Sequence, residues 1–396
     1  MLSAYKIARI KLTKCRQVDT YTNGNYHPHG ECYGTVVQMV KQGYLIGQGN
    51  FGTNVGVEVT GPAASRYTEC QLNPATYEMA FKYVKYVKWV PTELDDIEPE
   101  VLPTMYPFCL MGTEYTQGIG FGFRTFIPCY LVSDLYKRLL WLLGIRKRKP
   151  IIAPITDCKI VSDSRVLDEL LTTGKAKLDV EGIIEIDARL NKVKLRSWPP
   201  GKRFESFLNK FNKELAENMI GFSDLSVKET EIVFQVMRER NRDKIFNEFV
   251  EKLESCIKGT ISFETTVVDQ NQKVQVMPID EMLLNTFNNF KQINDVMLGK
   301  EINDTQESIV EMNTLDIIKP ILSTCLKNGY DVDQSLEIIE KETPVSKKDA
   351  GEMINKYKIR KLLTLDTDTN QLKMKAMDLI DKKKNLTDFV LEQYGG

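Results

Sequence analysis

Histidine is almost missing from this 396-residue chain: His27 and His29 are the only two, both inside NYHPHGEC at 25–32. Structural zinc takes four ligands, usually paired on two segments, and no second Cys/His pair exists to complete such a set. The eight cysteines, at 15, 32, 70, 109, 129, 158, 256 and 325, contain no CxxC pair. That excludes a zinc ribbon, supplies no disulfide framework, and fits reduced thiols in a cytosol. Long apolar runs are lacking as well. The greasiest stretch, LYKRLLWLLGI at 135–145, is broken by charge and too short to span a bilayer. The opening MLSAYKIARIKLTK has no apolar core of signal-peptide length. Internal repeats and low-complexity tracts are absent too, and the expectation is a soluble, cytoplasmic protein with no membrane partner.

Neither sign of charge is in excess overall, with 53 Lys/Arg against 54 Asp/Glu and a net charge of −1. The distribution is uneven. Residues 1–90 hold ten Lys/Arg (6, 9, 11, 14, 16, 41, 66, 82, 85, 88) against five Asp/Glu (19, 31, 58, 69, 78), and RKRK occupies 146–149. A near-zero average therefore hides basic surface that suits a polyanionic partner. Hydrophobic content of 42% and charge of 27% are those of an ordinary globular protein, long enough for two or three domains.

Along the chain, CYGTVVQMVKQ predicts a helix followed by a Gly-rich loop to about residue 56, and 74–90 predicts a second helix with Tyr83, Tyr86 and Trp89 at steps of three. Residues 91–110, rich in acids and prolines, predict a boundary or ordered loop. Between 111 and 278 the strands GIIEIDA, KVKLRSW, TISFETTVV and KVQVMP alternate with helices such as RDKIFNEFVEKLES, an α+β texture. Beyond Pro278, Asp280 is expected to cap a helix with Leu283, Phe287, Phe290, Ile293 and Val296/Met297 on one stripe. The rest reads as charge-laced helix, interrupted at Gly299, Asn328-Gly329 and Thr343-Pro344, and suits a stalk or dimerisation arm.

Three motifs carry candidate chemistry. His27, His29 and Cys32 could be metal ligands, or the segment could be a polar turn capping the helix that starts near Glu31; both readings stay open. GQGNFG at 47–52 matches GxGxxG, yet TNVGVEVTGP after it is strand- or loop-like, so a tight, backbone-exposing loop is the better reading than a dinucleotide site. In ASRYTE at 64–69, a phenol of pKa about 10 becomes a useful nucleophile only beside cations or a base, and the adjacent guanidinium could supply the charge and hold a phosphate oxygen.

In series, YHPHG at 26–30, GQGNFG at 47–52 and AASRYTE at 63–69 resemble the breakage–reunion core of type IIA DNA topoisomerases, the gyrase A/topoisomerase IV A family. GIGFGFRTFIP at 118–128 is similar to that family's Gly-rich strand ending in Ile-Pro, and AGEMINKYKIRKLLTLD at 350–366 to its C-terminal dimer-gate helix. The resemblance implies an α+β multidomain fold. Its parts would be an N-terminally short winged-helix domain over 1–110, an α/β tower over 111–278, and a coiled-coil stalk with dimer gate over 279–396. It implies Tyr67 as the nucleophile forming a 5′-phosphotyrosyl link, Arg66 stabilising the phosphate charge, and His29 polarising the same phosphate. His27, Lys41, Gln48, Asn50 and Arg124 would contact DNA, and Ile127 would be the apolar wedge between base pairs.

The resemblance further implies a homodimer on double-stranded DNA, joined by a B-type subunit whose TOPRIM and ATPase domains hold Mg²⁺ and ATP in an A₂B₂ assembly. No TOPRIM-type Glu…DxD or ATPase motif occurs in this chain, so it is expected to bind DNA alone but to cleave it poorly. Departures are visible. Against the family, the expectation is no basic KPxxRR segment before the first motif, a shorter stalk and no DNA-wrapping β-pinwheel after Gly396, and Cys32 and Val36 stand where the resemblance would put the Ser and acid tied to quinolone binding. These suggest a phage or viral enzyme acting in a host cytoplasm, at the nucleoid. A catalytically silent DNA-binding relative and a metal-dependent hydrolase using His27/His29 are the alternative readings.

Overall fold

The computed structural model describes residues 2–25, 31–53, 60–92, 96–113, 115–120, 122–200, 202, 204–217, 220–227, 229–237, 241–269, 271 and 273–395. His27 and His29 lie outside them, as does Glu58. The chain divides into two compact units, one through Asn289 and one from Phe290 onward.

The first unit begins with α1 (Leu2–Ile7), β1 (Thr13–Lys14), α2 (Cys15–Asn25), α3 (Tyr33–Lys41), β2 (Leu45–Gln48) and β3 (Glu69–Leu72). The strands form an antiparallel sheet in the order β1-β3-β2. Ala4, Ala8, Val18, Val36, Val37, Leu45, Phe51 and Leu72 meet in one core, so the helices close over the sheet through small and β-branched side chains. The helix expected from CYGTVVQMVKQ is α3. Its N-cap residue is tied to another element: Cys32 N–H donates to Asp19 Oδ1 at 2.6 Å, while the Cys32 thiol donates to Asn23 Oδ1.

The single helix expected over 74–90 is instead three pieces: α4 (Pro74–Met79), a 3-10 turn (Phe81–Tyr86), and β4 (Trp89–Pro91). Asn73 caps α4 at its Ala75 N–H. Ala80 leaves the helical region at φ −138°, and Phe81, Tyr83 and Val84 then turn inward to be buried. Trp89 Nε1 donates to the Val84 carbonyl and fixes the exit. The acidic, Pro-rich stretch that follows contains β5 (Ile97–Pro99), paired with β4.

Next come β6 (Tyr115–Gly120) and β7 (Phe123–Pro128), a hairpin turning at Gly122, then α5 (Val132–Leu142), β8 (Lys159–Ile160), α6 (Ser164–Thr173) and β9 (Lys175–Glu181). β10 (Ile184–Asp187), β11 (Lys192–Leu195), α7 (Phe204–Glu217), β12 (Ile220–Asp224), β13 (Ile232–Val236) and α8 (Arg242–Cys256) follow, with β14 (Lys258–Glu264), β15 (Thr266–Val268) and β16 (Val274–Val276) completing this stretch. Two larger sheets result, β6-β7-β14-β9-β8 and β10-β11-β13-β12. The second buries Val193, Leu195, Phe234 and Val236 against Phe246, Phe249 and Leu253 of α8. The strands expected at GIIEIDA, KVKLRSW, TISFETTVV and KVQVMP are β10, β11, β14–β15 and β16, because period-two alternation set against a helix leaves one register possible.

Helix α9 (Ile279–Lys327) starts where Asp280 predicts. Asp280 is not a cap, however: it lies within the first turn, and its carboxylate takes Arg138 of α5 bidentately at 2.8 and 2.7 Å. The interruption expected at Gly299 does not occur. A Cβ there would meet Lys383 Nζ at 3.0 Å, so glycine admits a neighbouring side chain and leaves the helix unbroken. The breaks expected at Asn328-Gly329 and Thr343-Pro344 separate α9, α10 (Val332–Glu342) and α11 (Lys347–Tyr357). Asp331 and Gln334 form a capping box at α10. Then α12 (Ile359–Thr364), α13 (Asn370–Lys384) and α14 (Leu386–Gly395) follow. Within the second unit, Leu315, Ile318, Leu322, Ile339, Ile354 and Leu362 form one core. Among the described residues no helix is long and apolar enough to cross a membrane.

Candidate active site

Tyr67 stands on a turn immediately before β3, and it is 65% exposed. Its N–H donates to the Ala64 carbonyl at 2.9 Å, closing the turn. The start of α2 clamps the turn from one side: Arg16 N–H donates to Ser65 O at 3.2 Å and Cys15 N–H to Thr68 O at 3.0 Å. On the other side Thr68, wholly buried, shares a 2.8 Å hydrogen bond with the Tyr33 hydroxyl, which also donates to Ala63 O at 2.7 Å. The backbone at Tyr67 is thus tied on both sides while its ring stays in solvent.

The GQGNFG segment is the floor beneath this turn. Gly49 has φ +112°, and a Cβ there would meet Tyr67 O and Thr68 Cγ2 at 3.3 Å. Only glycine combines that backbone with such an approach. Asn50 O accepts from Ala63 N–H at 2.9 Å, and Asn50 Oδ1 folds back onto Gly52 N–H. Gln48 lies exposed opposite Glu69 in the β2–β3 register. The tight loop expected from the glycines is present, serving the tyrosine turn.

Cations gather at the same place. The Arg66 guanidinium lies over the Tyr67 ring at 4.6 Å. Arg66 also lines a depression of about 610 Å³ together with Ile7, Lys14, Arg16, Gln17, Thr20 and Tyr21. Lys14 is engaged by Glu69 at 2.7 Å. Among the described residues no carboxylate pairs with Arg16 or Arg66, which leaves both guanidiniums available to an anion. Arg16 was not foreseeable as a site residue from spacing. The signal it gave was membership in the basic bias of the first 90 residues, and only the sheet brings it beside a turn 50 positions later.

Electrostatics behind the turn are set by two buried thiols. A hydrogen bond from Cys70 lowers Cys15 to about 7, while the same bond and burial push Cys70 upward. Burial, then the nearby Asp19 charge, raises Cys32. Tyr33 is raised by desolvation, so this tyrosine stays neutral and keeps its proton for the Ala63 carbonyl.

Of the other expected residues, Lys41 is in the last turn of α3, one loop away from β2. Arg124 and Ile127 belong to a different sheet, on β7. Arg124 is exposed opposite Ile119, but Ile127 is only 2% exposed, so the expected wedge is enclosed in this conformation. Among the described residues, the large apolar side chains that this hairpin presents to solvent are Ile119 (93%) and Phe123 (44%). Among the described residues no group of three or more His, Cys, Asp or Glu comes together to hold a metal, and Glu69 is occupied by Lys14.

Comparison with known proteins gives a consistent picture. The family model for the A subunits of DNA gyrase and topoisomerase IV matches residues 1–393. The DNA gyrase A subunit of Ureaplasma parvum is 27% identical over 94% of this chain and 46% of its own length. Its counterpart in Chlamydia pneumoniae is 24% identical over 83% of this chain and 42% of its own. That of Mycobacterium bovis is 30% identical over 42% and 22%. The chain spans less than half the length of these relatives.

Proposed function

The chain belongs to the family of DNA gyrase and topoisomerase IV A subunits, and from that membership we propose that it is the DNA-cleaving and rejoining component of a type IIA topoisomerase. The observation that carries the reading is the exposed Tyr67 on a clamped turn beside the Arg66 guanidinium, with Arg16 lining the same depression as Arg66 and no carboxylate engaging either among the described residues.

In the proposed step the Tyr67 hydroxyl oxygen attacks a DNA phosphorus. The tyrosyl O–P bond forms, the bond to the neighbouring 3′ oxygen breaks, the phenolic proton passes to solvent, and the leaving oxygen is protonated to a 3′-hydroxyl. One phosphodiester is exchanged for another, so reversal rejoins the strand without external energy. Arg66 beside the ring, and Arg16 across the depression, stabilise charge developing on the non-bridging oxygens. His29 would polarise the same phosphate. His27, Lys41, Gln48, Asn50 and Arg124 would contact the duplex backbone. Ile127 could act as a wedge only if the end of β7 opens.

In this reading the residues around α3 and the β1-β3-β2 sheet are a winged-helix cleavage domain, the two larger sheets a tower, and α9–α14 a stalk and dimer gate. The chain works as a homodimer with a B-type partner carrying TOPRIM and ATPase domains, in an A₂B₂ complex. Mg²⁺ and ATP belong to that partner, and the setting is the cytoplasm, at the nucleoid or in an infected host.

The test is to mix the chain with a TOPRIM-bearing partner, Mg²⁺ and supercoiled DNA, then denature and look for protein attached to 5′ ends. Wild type is expected to form the adduct and Tyr67→Phe to lose it completely. An adduct in the Phe variant overturns the nucleophile; none in wild type favours a silent DNA-binding relative.

A further inference from the structure

The basic run at 146–149 is not part of the Tyr67 site, and its geometry differs from that of an ordinary solvated face. Helix α5 ends in a turn at Gly144, where φ is +76°, and the N–H groups of Ile145 and Arg146 both donate to the Leu140 carbonyl at 3.0 and 3.1 Å. At the far end Lys149 Nζ is held by Asp168 at 2.6 Å, and the Pro150 carbonyl accepts from buried Arg138 at 2.7 Å. The loop is therefore pinned at both ends.

Between the pins, Arg146, Lys147 and Arg148 are all exposed. Among the described residues none of the three has a carboxylate, aromatic or side-chain hydrogen-bond partner. Lys6, Lys14, Lys82, Lys88, Lys137, Lys149 and Lys175 of the first unit, by contrast, each have a carboxylate. Three adjacent cations on a fixed backbone lose little conformational freedom on meeting a row of phosphates. Such contacts position a duplex without reading its bases.

We propose that Arg146, Lys147 and Arg148 form a second binding surface for the phosphate backbone of double-stranded DNA, outside the cleavage site. The inference rests on the reading of the chain as a DNA-cleaving protein, since the duplex held at Tyr67 is the polyanion it would extend along.

The test measures affinity of the full chain for a fluorescent duplex across a salt series. Each phosphate-bound cation contributes a slope of about −0.9 in log K against log salt. The triple variant R146Q/K147Q/R148Q should therefore flatten the slope by about 2 to 3, with its thermal midpoint unchanged because the three exposed side chains have no charged or hydrogen-bonded partner among the described residues. A charge-matched control, K347Q/K348Q/K356Q, removes lysines seated beside carboxylates and should leave the slope near that of wild type. An unchanged slope in R146Q/K147Q/R148Q overturns the proposal even if the Tyr67 adduct forms. A flattened slope with no adduct upholds the loop and sinks the cleavage reading instead. Binding through these residues to vesicles of anionic phospholipid, with none to duplex, would also overturn it.

Discussion

Arg66 and Arg138 make the same contact in opposite surroundings. Each guanidinium carbon sits 4.6 Å from an aromatic centroid, that of Tyr67 for Arg66 and that of Trp141 for Arg138. Arg138 is fully buried, and its donors are filled by both oxygens of Asp280, by Pro150 O and by Asp168 at 3.4 Å. Arg66 is exposed and has no carboxylate among the described residues. A buried charge must be paired where it stands, so Arg138 ties α5 to the first turn of α9 and to α6. A solvated charge can remain unpaired at low cost and so stays available to a ligand. The ring contact does not distinguish scaffold from site; the occupancy of the remaining donors does.

Substitution can break this comparison from either side. The largest effect on stability is expected at the buried arginine. Asp280→Ala removes the bidentate partner and should cost about 3–5 kcal/mol, read as a lower urea midpoint. Asp168 at 3.4 Å compensates only in part. Replacing both members, Arg138→Met with Asp280→Leu, should recover much of that loss, since the penalty comes from the orphaned charge. At the exposed arginine, Arg66→Ala should leave the urea midpoint unchanged and slow DNA cleavage by about 10² to 10³, the usual consequence of removing one donor to a developing oxyanion. Arg66→Lys keeps the charge but loses the planar fork, and should fall between wild type and Ala. If Arg66→Ala lowers stability instead, the turn depends on the guanidinium and the contrast with Arg138 fails.

The sequence made some of this visible for definite reasons. Alternation in KVKLRSW and TISFETTVV predicts strands because half-buried sheets tolerate only one register. Asn328-Gly329 ends a helix because Gly329 adopts φ +82°, whereas Gly299 does not, because its missing Cβ makes room for Lys383. Local pattern cannot separate those two uses of glycine. The stretch 74–90 has helical spacing, yet burial of Phe81, Tyr83 and Val84 overrides it and leaves α4, a 3-10 turn and a strand. At the site, Tyr67, Arg66 and the GQGNFG loop were legible as motifs. The loop's role as a floor under Tyr67 was not, because it depends on Gly49 packing so close that a Cβ there would meet that residue's carbonyl at 3.3 Å. Arg16 and the Asp19 tie to Cys32 were equally hidden, since both act across long separations in the chain.

The most direct test of Tyr67 as the nucleophile is where the nucleotide ends up. Complexes trapped by denaturant in the presence of the partner and Mg²⁺ can be digested with nuclease and trypsin and sequenced by mass spectrometry. Cleavage after Arg66 yields a peptide that begins at Tyr67 and also contains Tyr77. The expected result is a nucleotide joined through its 5′ phosphate to Tyr67. A nucleotide on Tyr77 or any other residue, or one joined through its 3′ end, would contradict it.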